Sequence, residues 1–470
     1  MTRLSAEMLA ADAAEPITSA GNAQLGIAVL AGIAVIVLLI TKFKLHAFLS
    51  LTIGSLALGA FAGAPLGATI DSFTTGLGKT VASVGVLIAL GAILGKLLAD
   101  SGGADQIVDT ILAKARGRAM PWAMVLIASV IGLPLFFEVG IVLLIPVVLL
   151  VAKRGNYSLM RIGIPALAGL SVMHGLIPPH PGPLVAIDAL GANLGVTLAL
   201  GIVVAIPTVI IAGPLFSRYA ARWVDVPVPE KMLNSFEGAQ RPSEDLDKRP
   251  GFAATVATVL LPVVLMLVKA LVDIVVDDPE NAVQKVTDVI GSPLIALLAA
   301  VIVGMFTLGR AAGFGKDRIA STVEKSLAPI AGVLLIVGAG GGFKQTLIDV
   351  GVGQMILDFS KDWSIPALLL AWLIAVAIRL ATGSATVATI SAAGLAAPLA
   401  EGMSTSETAL LVLAIGAGSL FFSHVNDAGF WLVKEYFGMS VGQTLKTWSV
   451  METIISVVGI VFVLLLSLVL

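Results

Sequence analysis

The 470-residue sequence contains no cysteine. Disulfides, thiolate metal sites and a cysteine nucleophile are therefore excluded. Charge is also scarce. Asp, Glu, Lys and Arg together make up 12% of residues, about half of the roughly 25% usual in soluble domains. A water-soluble protein of this length could not cover its surface with so few. Neither sign dominates: the formal net charge is −2, so there is no basic field to hold nucleic acid, and no such partner is expected. What fills the chain instead is apolar. Residues of the AVILMFWYC set reach 58%, against about 45–50% even when glycine is counted. Apolar runs of about 17–25 residues recur, the length of a helix that crosses a bilayer; barrel strands would be short and alternating. The reading is an all-α polytopic protein whose outer surface faces lipid. The 49 glycines and 22 prolines suit closely packed and interrupted membrane helices.

Residues 1–23 mix acids into a weak helix without a basic region followed by an apolar one, so they read as an extension and not as a signal peptide. A first half spans 24–217. Spans are predicted at 24–40, 45–63 and 73–99, followed by an amphipathic stretch at 103–117 expected along the interface. The apolar block 120–151 is interrupted by Gly132, Pro134, Glu138 and Gly140. A single span needs neither about 32 residues nor a central Glu, so a re-entrant hairpin is predicted. The stretch 160–190 carries HGLIPPHPGP at 174–183, four prolines and two glycines in ten residues, which cannot be continuous helix. A span at 195–217 closes the half. The polar stretch 218–250 reads as a linker. The second half, 251–470, has spans at 252–276, 291–309, 326–348 and 446–470. Between them lie a second hairpin at 365–400 that turns at TGSAT (382–386) and a second interrupted helix at 408–437 that breaks at SHVNDAG (423–429).

The halves repeat. GAILGKLLADSGGADQIVD (91–109) reads like GAGGGFKQTLIDVGVGQMILD (338–358), IGLPLFFEVG (131–140) falls opposite IRLATGSATV (378–387), and the break at His174 opposite that at His424. All three pairings share an offset of about 247–250 residues, and each lands on an interruption, the mark of an internal duplication. Five crossings and one hairpin per half make the repeats inverted. Under that topology most Lys and Arg, including the whole 218–250 linker, collect on one side. The linker is therefore expected in the cytoplasm and both termini outside.

Inverted repeats with broken helices are the architecture of secondary transporters. Broken helices expose backbone groups tolerated only where they line a cavity; helix N-termini there attract anions and carbonyl ends attract cations. The polar residues at the four interruptions are the candidate site. Glu138 and Asp427 are candidates for proton coupling, with a hairpin hydrogen bond and a helix cap as their structural alternatives. His174, His180 and His424 could bind substrate hydroxyls or relay protons, or bond a carbonyl as caps of the breaks. Thr382, Gly383, Ser384 and Thr386 offer hydroxyls and amides to a polyhydroxylated or carboxylate ligand, or simply close packing. Asn426 lies in the same break as Asp427. Arg379 could meet a substrate carboxylate, or pair with an acid of the first half. No acid or cysteine stands at ligand spacing from the histidines, and GAGGGFK (338–344) lacks the Walker spacing, so neither a metal nor another cofactor is expected and ATP does not drive the protein. No nucleophile–base pair stands at a recognisable spacing, so an enzyme is not expected. A cation/proton antiporter would favour acids at both breaks, and the first has none.

These segments also carry a resemblance. LPLFFEVGIVLLIP (133–146), LSVMHGLIPPHPGP (170–183) with ANLG (192–195), and FFSHVNDAGFW (421–431) resemble the gluconate:proton symporter (gluconate permease) family over nearly the whole chain. The resemblance implies two inverted repeats divided into a scaffold and a mobile transport domain, an elevator-type motion and a homodimer in the cell's inner membrane. It further implies import of gluconate or a close sugar acid with protons, some members carrying other small hydroxylated anions or D-serine.

Overall fold

The computed structural model describes residues 16–229, 248–276, 280–352, 355, 365–424 and 427–470; the side chains of Thr41, Glu138 and Ile274 lie outside that description. Most of the N-terminal extension, the middle of the 218–250 linker and Asn426 are likewise outside it. Every regular element among the described residues is helical.

Elements of the first half are α1 (Asn22–Thr41), α2 (Ala47–Phe61), α3 (Leu66–Asp100), α4 (Gly103–Lys114), α5 (Met120–Gly132), α6 (Phe137–Gly155), α7 (Leu159–Leu176), α8 (Pro181–Leu190) and α9 (Leu194–Trp223, through one widened turn). The second half has α10 (Phe252–Val275), α11 (Ala282–Ile290), α12 (Pro293–Ala312), α13 (Lys316–Leu327), α14 (Ala331–Asp349), α15 (Ala367–Thr382), α16 (Ala385–Ala396), α17 (Thr405–Ser419), α18 (Ala428–Phe437) and α19 (Val441–Leu466). Among the described residues, eight helical stretches are long and apolar enough to cross a membrane. The protein is thus a multi-pass membrane protein.

The interruptions fall where the residue types demand. Pro134 lies between α5 and α6, so no helix runs from 120 to 155. Pro178 and Pro179 separate α7 from α8, and Pro181 opens α8 at the first helical position, where its missing N–H costs nothing. Gly383 ends α15 with φ of +73°, a left-handed conformation that only glycine adopts freely. Ser384 then caps α16 by accepting from Val387 N at 3.3 Å. Asp427 does the same for α18, accepting from Gly429 N at 2.8 Å. Two helix–break–helix pairs, α5–α6 with α7–α8 and α15–α16 with α17–α18, thus recur in the same order.

Three features differ from the sequence reading. Helix α3 is 35 residues long, about 52 Å at 1.5 Å per residue, because the amphipathic turns from Leu66 continue directly into the apolar run. Helix α13 precedes α14, so the predicted 326–348 span is the end of a longer, nearly continuous stretch. Helix α11 was not anticipated. It exposes Val283, Val286 and Val289 while burying Gln284 and Thr287, an amphipathic segment that suits the membrane interface.

Helices α7 and α8 are buried almost throughout. A helix apolar on every side belongs inside a bundle. One core cluster joins α3, α5, α6, α7, α9 and α19; a second joins α1, α2, α8 and α14–α17. The halves meet most closely where α3 packs on α14. A Cβ at Gly76 would fall well inside van der Waals contact of Gly341 O, and one at Gly341 would stand 2.7 Å from Gly76 O. Without a hydrophobic difference between helix and lipid tail, such backbone approach is what holds membrane helices together. Gly76→Ala and Gly341→Ala should each cost about 1–3 kcal/mol, read as a lower thermal midpoint of the detergent-solubilised protein. An unchanged midpoint in both would show that the helices are free to separate there.

Candidate functional site

The second hairpin and the second broken helix meet in the interior of the bundle, and Arg379 holds them together. Its guanidinium is 3% exposed. Nη1 donates to Gly383 O at 2.5 Å, and Nη2 pairs with Asp427 Oδ2 at 2.5 Å. The sequence alternatives for this arginine were a substrate carboxylate or an acid of the first half; the structure supplies an acid of its own half. The reason is topological, since the turn after α15 and the start of α18 pack side by side. Asp427 is fully engaged: Oδ2 also accepts from the Ser423 hydroxyl and Oδ1 from Gly429 N. Ser423 in turn accepts from Trp448 Nε1 at 2.7 Å, and its backbone carbonyl accepts from the Ser449 hydroxyl. The remaining polar atom, Arg379 Nε, is buried without a hydrogen-bond partner.

Around this pair lies a cavity of about 260 Å³, just below the roughly 300–1,000 Å³ of drug-sized sites. Thr382, Gly383, Ser384 and Thr386 line it from the hairpin turn, Asp427 and Gly429 from the second break, and Phe137, Ser171 and His174 from the first half. The N-termini of α16 and α18 both open onto it. The first amides of a helix have no carbonyl one turn back and carry the positive end of the dipole, so an anion is favoured here. The turn of the first hairpin is Leu-Pro-Leu-Phe (133–136) and brings no polar side chain. The polar wall is therefore built chiefly by the second half.

The histidines separate into two roles. His174 is in the last turn of α7, before the break, and lines the cavity. His180 is not among the lining residues. It is buried, and its Nε2–H donates to Gly132 O at 2.7 Å, the last carbonyl of α5. His424 acts alike: Nε2–H donates to Leu380 O at 3.2 Å, near the end of α15. His180 and His424 thus make the same kind of contact, each tying a broken helix to a carbonyl at the end of the neighbouring helix, the capping alternative named for them above. Glu138 occupies the first turn of α6 beside Phe137, with its side chain outside the described residues, as is Asn426.

Three polar cavity residues, Glu452, Ser171 and Trp448, went unread in the sequence. Glu452, in α19, is 1% exposed and accepts from the Ser171 hydroxyl of α7 at 2.5 Å. The signal was available: Glu452 is the lone acid of the segment from Trp448 to Leu470, an intramembrane ionisable group of the kind that marks function. No proline or glycine break sits beside it to draw notice, nor beside Trp448; Ser171 belongs to the 170–183 segment but to its helical part, where a lone serine reads as packing.

Removing one partner of a buried ion pair leaves an uncompensated charge, at a cost of about 3–5 kcal/mol. Asp427→Asn and Arg379→Gln should each lower thermal stability by that order. The double variant should lose less than the sum of the two, as a double-mutant cycle on purified protein would show. Strict additivity would mean the pair does not form.

Residues 25–469 match the GntP family permease profile. A gluconate permease of Pseudomonas aeruginosa is 50% identical over 436 residues, covering 93% of this chain and 96% of the relative. A high-affinity gluconate transporter of Escherichia coli is 44% identical, with 93% and 98% covered. Among solved structures, the YdaH transporter of Alcanivorax borkumensis superposes with a TM-score of 0.60 at 17% identity, covering 90% of this chain and 98% of that one, a likeness of fold. A bundle that reserves its polar side chains for a cavity between broken helices, and that matches this profile from end to end, belongs to the GntP family of permeases.

Proposed function

We propose that the protein imports gluconate or a closely related sugar acid by proton symport, through alternating access. The observation that carries this is the cavity itself. It brings together two helix N-termini, the Arg379 side chain and the hydroxyls of Ser171, Thr382, Ser384 and Thr386. Gluconate presents one carboxylate and five hydroxyls. The carboxylate suits the amides of α16 and α18 and the guanidinium edge; the hydroxyls suit Ser, Thr and His174, each of which both donates and accepts. The names of the relatives support the same substrate class.

In this reading the two halves are inverted repeats, the first over 24–217 and the second over 251–470, joined by a cytoplasmic linker, with both termini outside. The recurring order of the helix–break–helix pairs supports this. The broken helices and hairpins move as a transport domain against a scaffold, elevator fashion, within a homodimer in the inner membrane. A carrier of another small hydroxylated anion or of D-serine on the same scaffold is the neighbouring alternative, and a panel of gluconate, glycerate, fructuronate and D-serine separates them.

In proteoliposomes, an imposed gradient with the inside alkaline should drive labelled gluconate uptake. Accumulation that follows sodium and ignores the proton gradient would overturn the coupling. Thr386→Val should raise KM for gluconate by roughly 3–10-fold, the loss of about one hydrogen bond, while leaving the protein inserted. A wild-type KM would take Thr386 out of the site.

A further inference from the structure

With both of its acids ionised, the cavity would hold more negative charge than an anion-binding site tolerates. Arg379 is matched by Asp427, which leaves Glu452 without a direct cationic partner in any ion pair among the described residues. A sugar-acid carboxylate entering beside an ionised Glu452 would set three carboxylates against one guanidinium inside a poorly solvated space, where like charges repel far more strongly than in water. We propose that Glu452 carries the coupled proton: it must be protonated for the substrate to bind, so that proton and sugar acid cross together. This deepens the symport reading and rests on it.

Geometry favours Glu452 over the acids read from the sequence. Asp427 accepts from Arg379, from the Ser423 hydroxyl and from Gly429 N, three donors that occupy both of its oxygens. Protonating it would break the contact that ties the hairpin to the broken helix. The partner of Glu452 is different in kind. The Ser171 hydroxyl donates to a carboxylate, and by rotating it accepts from a carboxyl O–H, so both protonation states keep a hydrogen bond in place. The step is balanced as a proton transfer: the carboxylate takes a proton from the water of one side, becomes a neutral carboxyl while the anion is bound, and returns the proton to the other side.

The charged and titratable surroundings are few. Helix α19 packs against α7, α9, α15, α17 and α18, and on α18 Lys434 and Glu435 pair with each other. From α7 comes His174 and from α15 Arg379, both lining the same cavity with Asp427 of the break. Helix α9 has no Asp, Glu, His, Lys or Arg from 194 to 217. Glu407 of α17 is engaged at that helix's start in a capping box with Ser404. On α19 itself Lys446 is exposed. Glu452 and Ser171 also bridge the two halves, since Ser171 is on the broken helix of the first and Glu452 on the last span of the second. A proton on this bond would therefore be sensed where the halves meet.

The test uses the full chain in liposomes with labelled gluconate. Wild type should accumulate substrate about tenfold per pH unit of gradient, as an electroneutral one-to-one symport requires. If wild type ignores the gradient, the symport reading itself fails, independently of Glu452. With wild type coupled, Glu452→Gln should bring the accumulation ratio to about one while gluconate–gluconate exchange continues. Accumulation by this variant within twofold of wild type would overturn the assignment. Should exchange also be lost, calorimetric titration of gluconate in two buffers of different ionisation heat decides. At a pH alkaline enough for Glu452 to be ionised in the free protein, wild type should take up about one proton per gluconate bound and Glu452→Gln none, whereas equal uptake in both would overturn the proposal. Glu452→Asp, which keeps a carboxyl, should restore part of the gradient response; a variant that exchanges gluconate but ignores the gradient would count against it.

Discussion

In hydrocarbon, an unpaired backbone N–H or C=O has no water to turn to, and each costs several kcal/mol. A chain that breaks its helices inside the membrane must therefore bring the broken ends to one another or to side chains that satisfy them. This protein does both. His180 closes on the last carbonyl of α5 and His424 on a carbonyl near the end of α15; Ser384 and Asp427 cap the helices that restart. Once those needs are met, what is left over is a set of amides, hydroxyls and one guanidinium edge around a small cavity. The binding site is the remainder of the backbone's own requirements.

Charge follows the same logic. The Arg379–Asp427 pair is buried and hydrogen-bonded on both sides, the condition under which an ion pair survives removal from water. It joins the hairpin turn to the second break, so these two elements are held at fixed separation. Glu452 lies outside this closed pair and bonds the Ser171 hydroxyl instead, a partner that can donate or accept.

Much of this was legible in the residues. The spans, the breaks at Pro134, Pro178–Pro179, Gly383 and the 423–427 segment, and the convergence of polar residues on those breaks all follow from rules that act within a few residues of sequence. So does membership of the permease family, since its motifs are contiguous. The partner of Arg379 was not legible, because 48 positions separate it from Asp427 and nothing local prefers one acid over another. Which histidines bond a helix-end carbonyl was not legible either, since the carbonyls that His180 and His424 meet lie 48 and 44 positions away. Helix α11 has too few residues to declare itself by hydropathy.

The sequence by itself determined that this protein lives in a membrane, that its helices are interrupted four times, and that hydroxyls, histidines and a few charges gather at the interruptions. Those properties depend on local physics: the length of an apolar run, the missing N–H of proline, the left-handed freedom of glycine. Only the tertiary structure decided which of those groups face one space and which are spent on capping. It separated His174 from His180, matched Arg379 with Asp427, and drew Glu452 out of an unbroken span to meet Ser171, 281 positions away. The reason is that burial, hydrogen-bond satisfaction and charge compensation are properties of neighbours in space, and in this fold the decisive neighbours lie far apart in the chain.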